Sequence, residues 1–304
     1  MGAAVAARKQ PFFYGGQAVI EGVLMRGKDH YAVAARRRDG SIVVKEEPLT
    51  SRVYTSNLWK LPLFRGVAGL VEMLHLGMRA LSWSANVQME EEEVQLSPRA
   101  MRVTMAISVV LGLVLFVGLP LGAAALIHRG PRSVGFVVIE GIARAVILLG
   151  YLVLIGSTRA VKRVFEYHGA EHKTINCYES GDPVDVEHVR RASRLHPRCG
   201  TGFLVVVALV SIVVFAPLGG LHPILLVLSR ILLVPLVAAI SYEGIRALAR
   251  IRNTAVGRVL IAPILATQLL TTREPDDGQL EVAIAALAAA RAGEVGTTPL
   301  PLAS

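Results

Sequence analysis

The segment 103-VTMAISVVLGLVLFVGLPLGAAALI-127 runs for 25 residues without a charge. A helix needs about 20 apolar residues to cross the hydrocarbon core of a bilayer, so this segment is long enough to span one. Three more apolar segments follow at residues 134–158, 201–218 and 224–245. The second contains Glu140 and Arg144, and the fourth contains Arg230. The expected fold class is therefore an α-helical polytopic membrane protein of about four transmembrane helices, with a small β-rich N-terminal cytoplasmic domain. The chain is 53% hydrophobic with a mean hydropathy of +0.52. That is only a little above the roughly 45–50% of soluble domains, so the information lies in how the apolar residues are grouped.

Four units are expected along the chain. Residues 1–57 begin with a flexible start (1–11) and continue as a β-rich domain. There the β-prone run 17-QAVIEGVLM-25 lies between glycines, and strands at 31–35 and 42–45 flank a turn at Asp39-Gly40. Residues 58–100 comprise a helix of apolar period, either lying on the membrane or packed on the β domain, followed by the acidic linker 90–93. Residues 101–245 form the four-helix transmembrane domain, with a polar loop at 159–200. Residues 246–304 form the C-terminal tail, which has an amphipathic stretch at 259–270, an Ala-rich helix at 279–292 and a disordered last dozen residues.

The net charge is +9. No nucleic-acid motif accompanies it, so no nucleic-acid partner is expected, and the basic residues instead flank the apolar segments. Loop 159–200 carries Arg159, Lys162, Arg163, Lys173, Arg190, Arg191, Arg194 and Arg198. The excess of Lys and Arg in cytoplasmic loops places it inside. With four spans, both termini of a multi-pass inner-membrane protein are then cytoplasmic, in agreement with Arg246, Arg250, Arg252 and Arg258. Cys177 and Cys199 fall in this loop, where thiols stay reduced. Metal binding or simple burial is expected of them rather than a disulfide. No apolar signal-peptide core precedes the domain.

Glu140 and Arg144 are four residues apart and share a helix face. A charge at mid-bilayer is costly unless paired, so Glu140 is expected to bridge Arg144 and Arg230. That ion cluster is either a packing clamp or part of a substrate pathway.

Chemistry concentrates in 166-EYHGAEHKTINCYE-179, which is expected to continue the second membrane helix. On a helix, His168 and His172 reach one metal ion. Glu171 stands before the second histidine, in the H-x-x-E-H order in which the glutamate is the general base toward a metal-bound water. Glu179 lies on the same face as a further ligand or a supporting group. His196 and Cys199, three apart across a tight turn, are candidate ligands, and Glu243 is a distant one. A divalent metal, zinc above all, suits imidazole with thiolate. The alternative is a polar hydrogen-bonded network with no metal.

The chain resembles the YqhQ-like family of bacterial membrane proteins, domain-of-unknown-function family 1385, over residues 14–287. The motifs that carry the resemblance are 15-GGQAVIEGVLMRG-27, 167-YHGAEHKTINCYE-179, 196-HPRCGT-201, 241-SYE-243 and 270-LTTREPDD-277. Gly202 stands where a serine is expected. The resemblance implies a membrane protein with a metal site, a class described as predicted metal-dependent enzymes, and no particular substrate. It draws Glu21, Arg26 and Tyr242 into the candidate site, with a tight hairpin as the alternative for the first motif. Two functions follow: a metal-dependent hydrolase at the cytoplasmic membrane surface, or a non-enzymatic membrane scaffold or assembly factor with a structural metal. A transporter is a third. Compatible partners are the lipid bilayer, an unspecified substrate or protein, and a second copy of the chain in a homo-oligomer.

Overall fold

The computed structural model describes residues 14–49, 61–89, 98–130, 133–251 and 254–292. The expected flexible start, acidic linker and disordered last dozen residues lie outside the described residues. Four strands come first: β1 (Gly15–Val19), β2 (Gly22–Arg26), β3 (His30–Arg36) and β4 (Ile42–Pro48), an antiparallel sheet in sequential order. The β-prone run 17–25 folds as two strands rather than one. Val19 pairs with Gly22 across a tight turn, and Glu21 takes a φ of 49° there. At the other turn, the Ser41 amide and hydroxyl donate to the Asp39 carboxylate at 2.8 and 2.6 Å, and Gly40 takes a φ of 90°.

Helices α1 (Phe64–Met89), α2 (Pro98–Leu113), α3 (Leu119–Ile127), α4 (Val134–Gly156), α5 (Arg159–Ser180) and α6 (Val186–Arg191) follow. Then come α7 (Gly200–Phe215), α8 (Pro223–Leu232), α9 (Val234–Ile251), α10 (Ala255–Thr271) and α11 (Asp277–Ala292). Side chains alternate across a strand, and both faces of the sheet are buried. Val19, Leu24, Tyr31 and Val33 pack on Leu76 and Ala80 of α1. Val23, Met25, Ala32 and Ala34 pack on Tyr167, Ala170, Leu280, Ala283 and Leu287 of α5 and α11. One core thus joins the N-terminal sheet, the loop helix and the C-terminal tail, segments far apart in sequence.

Three helical segments, Arg102–Ile127, Val134–Gly156 and Gly200–Leu218, are long and apolar enough to cross a membrane. The expected fourth is not straight. Pro223–Leu232 and Val234–Leu248 form a pair bent by 48°. Pro235 explains the break: it lacks an amide to bond backwards, and it disfavours helical backbone at the residue before it. The expected continuation of the second helix into 166–179 is also corrected. The Ser157 and Thr158 hydroxyls bond back to the Leu154 and Ile155 carbonyls at 2.6 and 2.7 Å. Such local bonds compete with helix propagation, and α5 restarts with Thr158 capping Val161.

Within the apolar helices, Glu140 binds both guanidiniums. Its Oε1 accepts from Arg144 at 2.5 Å, and Arg230 donates to Oε1 and Oε2 at 3.1 and 2.6 Å. Arg144 also donates to the Ser211 hydroxyl at 2.8 Å and to the Phe116 carbonyl at 3.1 Å. Phe116 lies in a π-helical turn (Val114–Gly118) that joins α2 to α3. The Phe215 ring lies beneath Arg230, 4.4 Å away. Removing one partner of a buried pair strands the remaining charge. Glu140→Leu is therefore expected to cost ~3–5 kcal/mol, and the triple apolar replacement Glu140→Leu, Arg144→Leu, Arg230→Met to recover most of it. Unfolding of the purified protein checks this. A single variant as stable as the parent would show that the cluster is no clamp.

Candidate metal centre

Helix α5 carries the site. Its N-cap is Thr158 and its C-cap is Gly181, which takes the left-handed φ of 81°. Polar and apolar residues alike are buried along it: Tyr167, Ala170, Glu171, His172, Lys173, Thr174 and Ile175. A buried polar group is costly unless hydrogen-bonded, and the partners come from distant segments. Lys173 Nζ donates to the Arg190 and Ala192 carbonyls at 2.8 and 3.0 Å and pairs with Glu274 at 2.5 Å. The Asn176 amide donates to the Ser193 and Leu195 carbonyls at 2.7 and 3.0 Å. The chain after α6 is thereby strapped along α5, and it delivers His196 and Cys199 beside the two histidines.

His168 and His172 lie one turn apart and meet edge to face, with ring centroids separated by 4.4 Å and planes at 66°. His168 Nδ1 meets the Thr271 carbonyl at 2.8 Å, and His172 Nδ1 meets the Arg194 carbonyl at 2.6 Å. A carbonyl only accepts, so each Nδ1 carries a proton, and in the neutral ring it is Nε2 that has the lone pair. This is how ligating histidines are ordinarily oriented. Cys199 is the N-cap of α7, and its Sγ lies 3.2 Å from His168 Nε2. One donor atom from each of His168, His172 and Cys199 lies within 4.8 Å of the other two. The sulfur is steadied by the Thr201 amide and hydroxyl at 3.4 and 3.1 Å.

Glu171 stands over this trio. Its Oε2 is 3.9 Å from both His168 Nε2 and His172 Nε2. Burial pushes its carboxyl up to about 7, against the opposing influence of His168 and the Gly16 amide. Gly16 is required there, because a Cβ on it would lie 2.7 Å from Glu171 Cγ. Gly169 is equally constrained, since a Cβ would lie 2.0 Å from the Arg273 carbonyl oxygen. The two glycines let β1 and the tail reach α5.

The other expected candidates stand elsewhere. Glu179 lies seven residues beyond His172, about 10 Å along the helix axis, and pairs with Arg198. His196 is buried, its backbone held on both sides by Gln268 at 2.8 Å; its ring lies beside His172, with centroids 5.6 Å apart, and its Nε2 faces Glu179 Oε2 at 3.8 Å, outside the trio. The His196–Cys199 turn therefore brings the sulfur to the trio and turns the imidazole away. Glu243 is clasped by Arg65 of α1, where α9 packs on that helix. Tyr242 is exposed and lies against Gly66. Glu21 pairs with Arg163 at 2.7 Å and accepts from the Tyr167 hydroxyl at 3.2 Å. Arg26 reaches Glu72 at 3.6 Å. Cys177 donates to the Pro183 carbonyl, and burial pushes its thiol up to about 11.

Residues 61–292 match the family described as "Protein of unknown function (DUF1385)". The chain belongs to this family. A relative, "Uncharacterized protein YqhQ" of Bacillus subtilis (strain 168), is 37% identical over 295 residues, covering 92% of each chain. No solved structure matches. Neither description states an activity, so the family says nothing beyond the geometry about what the cluster does.

Several groups that build the site were not evident in the sequence: Gly16, Thr201, Lys173, and the carbonyls of Arg194 and Thr271. The backbone acceptors have no side-chain signature. Gly16, Lys173, Thr201 and Thr271 lie in family motifs, which is the one signal that points to them. Gly169→Ala is expected to destabilise the protein by ~1–3 kcal/mol, the usual cost of overpacking a fitted contact. Gly200→Ala, with open space around it, should change stability little. Thermal unfolding of the two variants checks this, and equal midpoints would show that the tail does not press on α5 as described.

Proposed function

We propose that this chain is an integral membrane protein with a divalent-metal centre, and that the centre is hydrolytic. The membrane reading is supported by the outer surfaces of the apolar helices. Leu126, Val213 and Leu232 are 81%, 73% and 72% exposed, a loss that lipid would offset. The basic residues of loop 159–200 support a cytoplasmic position for the metal centre, and with four spans for both termini.

The observation that carries the metal reading is the convergence of the His168, His172 and Cys199 donor atoms within 4.8 Å. Two imidazoles and a thiolate suit zinc better than magnesium or calcium. A metal held there would supply an activated water. Glu171 would accept its proton at Oε2, and the Gly16 amide would hold that carboxylate in place. The Thr271 and Arg194 carbonyls keep both imidazoles in the ligating tautomer, and Thr201 orients the sulfur. Three ligands leave the open position that distinguishes catalytic zinc from structural zinc.

One observation favours the scaffold reading, with a closed metal site. His172 is 1% and Cys199 8% exposed, so the site is largely enclosed.

Metal analysis of the purified protein is expected to give about one zinc per chain, in line with a single three-donor site, and none in the His168→Ala, His172→Ala double variant. No metal in the parent protein after zinc is added back would end the metal reading. Cobalt substitution then tests the ligand set and the open position. The thiolate-to-metal absorption should vanish in Cys199→Ser and persist in Cys177→Ser. Added azide should shift the cobalt spectrum at an open site; a spectrum that ignores azide would favour the closed, structural alternative.

A further inference from the structure

Helix α1 is apolar on two sides. Leu76, Ala80, Ser84 and Val87 face inward, with Leu76 and Ala80 on the sheet. Phe64, Val71, Leu74, Met78 and Leu81 recur at three-, four- and seven-residue intervals and are exposed by 38–60%. These intervals place them in one stripe, turned away from the sheet.

The stripe borders a shallow groove of about 320 Å³ between α1 and the sheet, to which Met78 contributes. Three features of this groove point to one occupant. Its floor is apolar and includes Val33 and Trp83. Its rim bears Lys45 and Arg79, whose side chains are 43% and 49% exposed and which share the carboxylate of Glu47, at 2.8 and 2.5 Å. Among the described residues these two cations share one carboxylate, a positive balance at the rim. Met105, near the start of the first membrane-length helix, completes the lining, so the groove opens where that helix would enter a bilayer.

We infer that this groove binds an anionic phospholipid. The headgroup lies between Lys45 and Arg79, an acyl chain lies on Trp83, Met78 and Met105, and the α1 stripe rests in the membrane interface. This rests on the membrane reading above but not on the metal. A basic rim above an apolar floor with a tryptophan is the chemistry of a membrane–water boundary.

The chain has two tryptophans, so Trp59→Phe leaves Trp83 as its one fluorescent reporter. The full-length variant is reconstituted into vesicles of acyl-brominated phosphatidylglycerol or acyl-brominated phosphatidylcholine, and its co-flotation with the vesicles is measured first. Failure to float would overturn the membrane reading and this inference with it. If the protein floats, the Trp83 emission should be quenched, with a preference for the anionic lipid in mixed vesicles of about fivefold, the contribution of one basic residue near a surface. Lys45→Gln should bring that preference close to parity without loss of flotation. Because Glu47 keeps Arg79 and the Tyr31 hydroxyl as partners, the strand is not left with an orphaned charge. Flotation without quenching would overturn the inference alone, and a cross-link from Trp83 positions between two copies would then identify the covering surface as a second chain. Equal quenching by both lipids, unmoved by Lys45→Gln, would overturn the assignment of an anionic headgroup.

Discussion

Helix α5 buries polar side chains, and each must find a partner or carry the cost of desolvation. That requirement organises the part of the molecule outside the apolar helices. Lys173 and Asn176 take up carbonyls from residues 190–195, His172 takes the Arg194 carbonyl, and His168 takes the Thr271 carbonyl. Glu171 is covered by Gly16 of β1. In the arrangement that satisfies this donor pattern, two histidines and a cysteine meet.

The apolar helices obey the same rule with fewer polar groups. Glu140, Arg144 and Arg230 answer one another, and the remaining donors of the arginines find Ser211, Ser229 and the Phe116 carbonyl. A guanidinium on a carbonyl of the π-helical turn shows how departures from a regular helix are accommodated in apolar surroundings. The bend between α8 and α9 is a departure of another kind, set by Pro235, and it places Arg230 in the last turn of α8.

Membership of a family without a described activity leaves the function to be argued from the site. The trio resembles catalytic zinc in its donor number and in the carboxylate beside it, and structural zinc in its enclosure. The two differ in one physical property, an exchangeable position on the metal. Location gives the centre its setting. It sits where α5 follows α4, where α7 begins and where α10 ends, at the basic ends of the apolar helices.

The order of residues alone determined what depends on neighbours within a helix or a turn. Apolar runs of sufficient length marked the apolar helices, the four-residue spacing set His168 over His172, and Asp39-Gly40 marked a turn. The charges among the apolar helices had few partners to choose from, so Glu140 could be matched with Arg144 and Arg230. Tertiary structure decided which distant residue completed each cluster. Cys199, Glu179 and His196 stood as candidate donors on paper, with Glu243 as a more distant one. Only the packing of the 192–199 segment along α5 brings the sulfur to the imidazoles and turns His196 aside, while Arg198 and Arg65 occupy Glu179 and Glu243. Nor could Gly16 be assigned to Glu171 from spacing, because a contact across 155 residues is set by how a sheet face meets a helix, and no local periodicity encodes that distance.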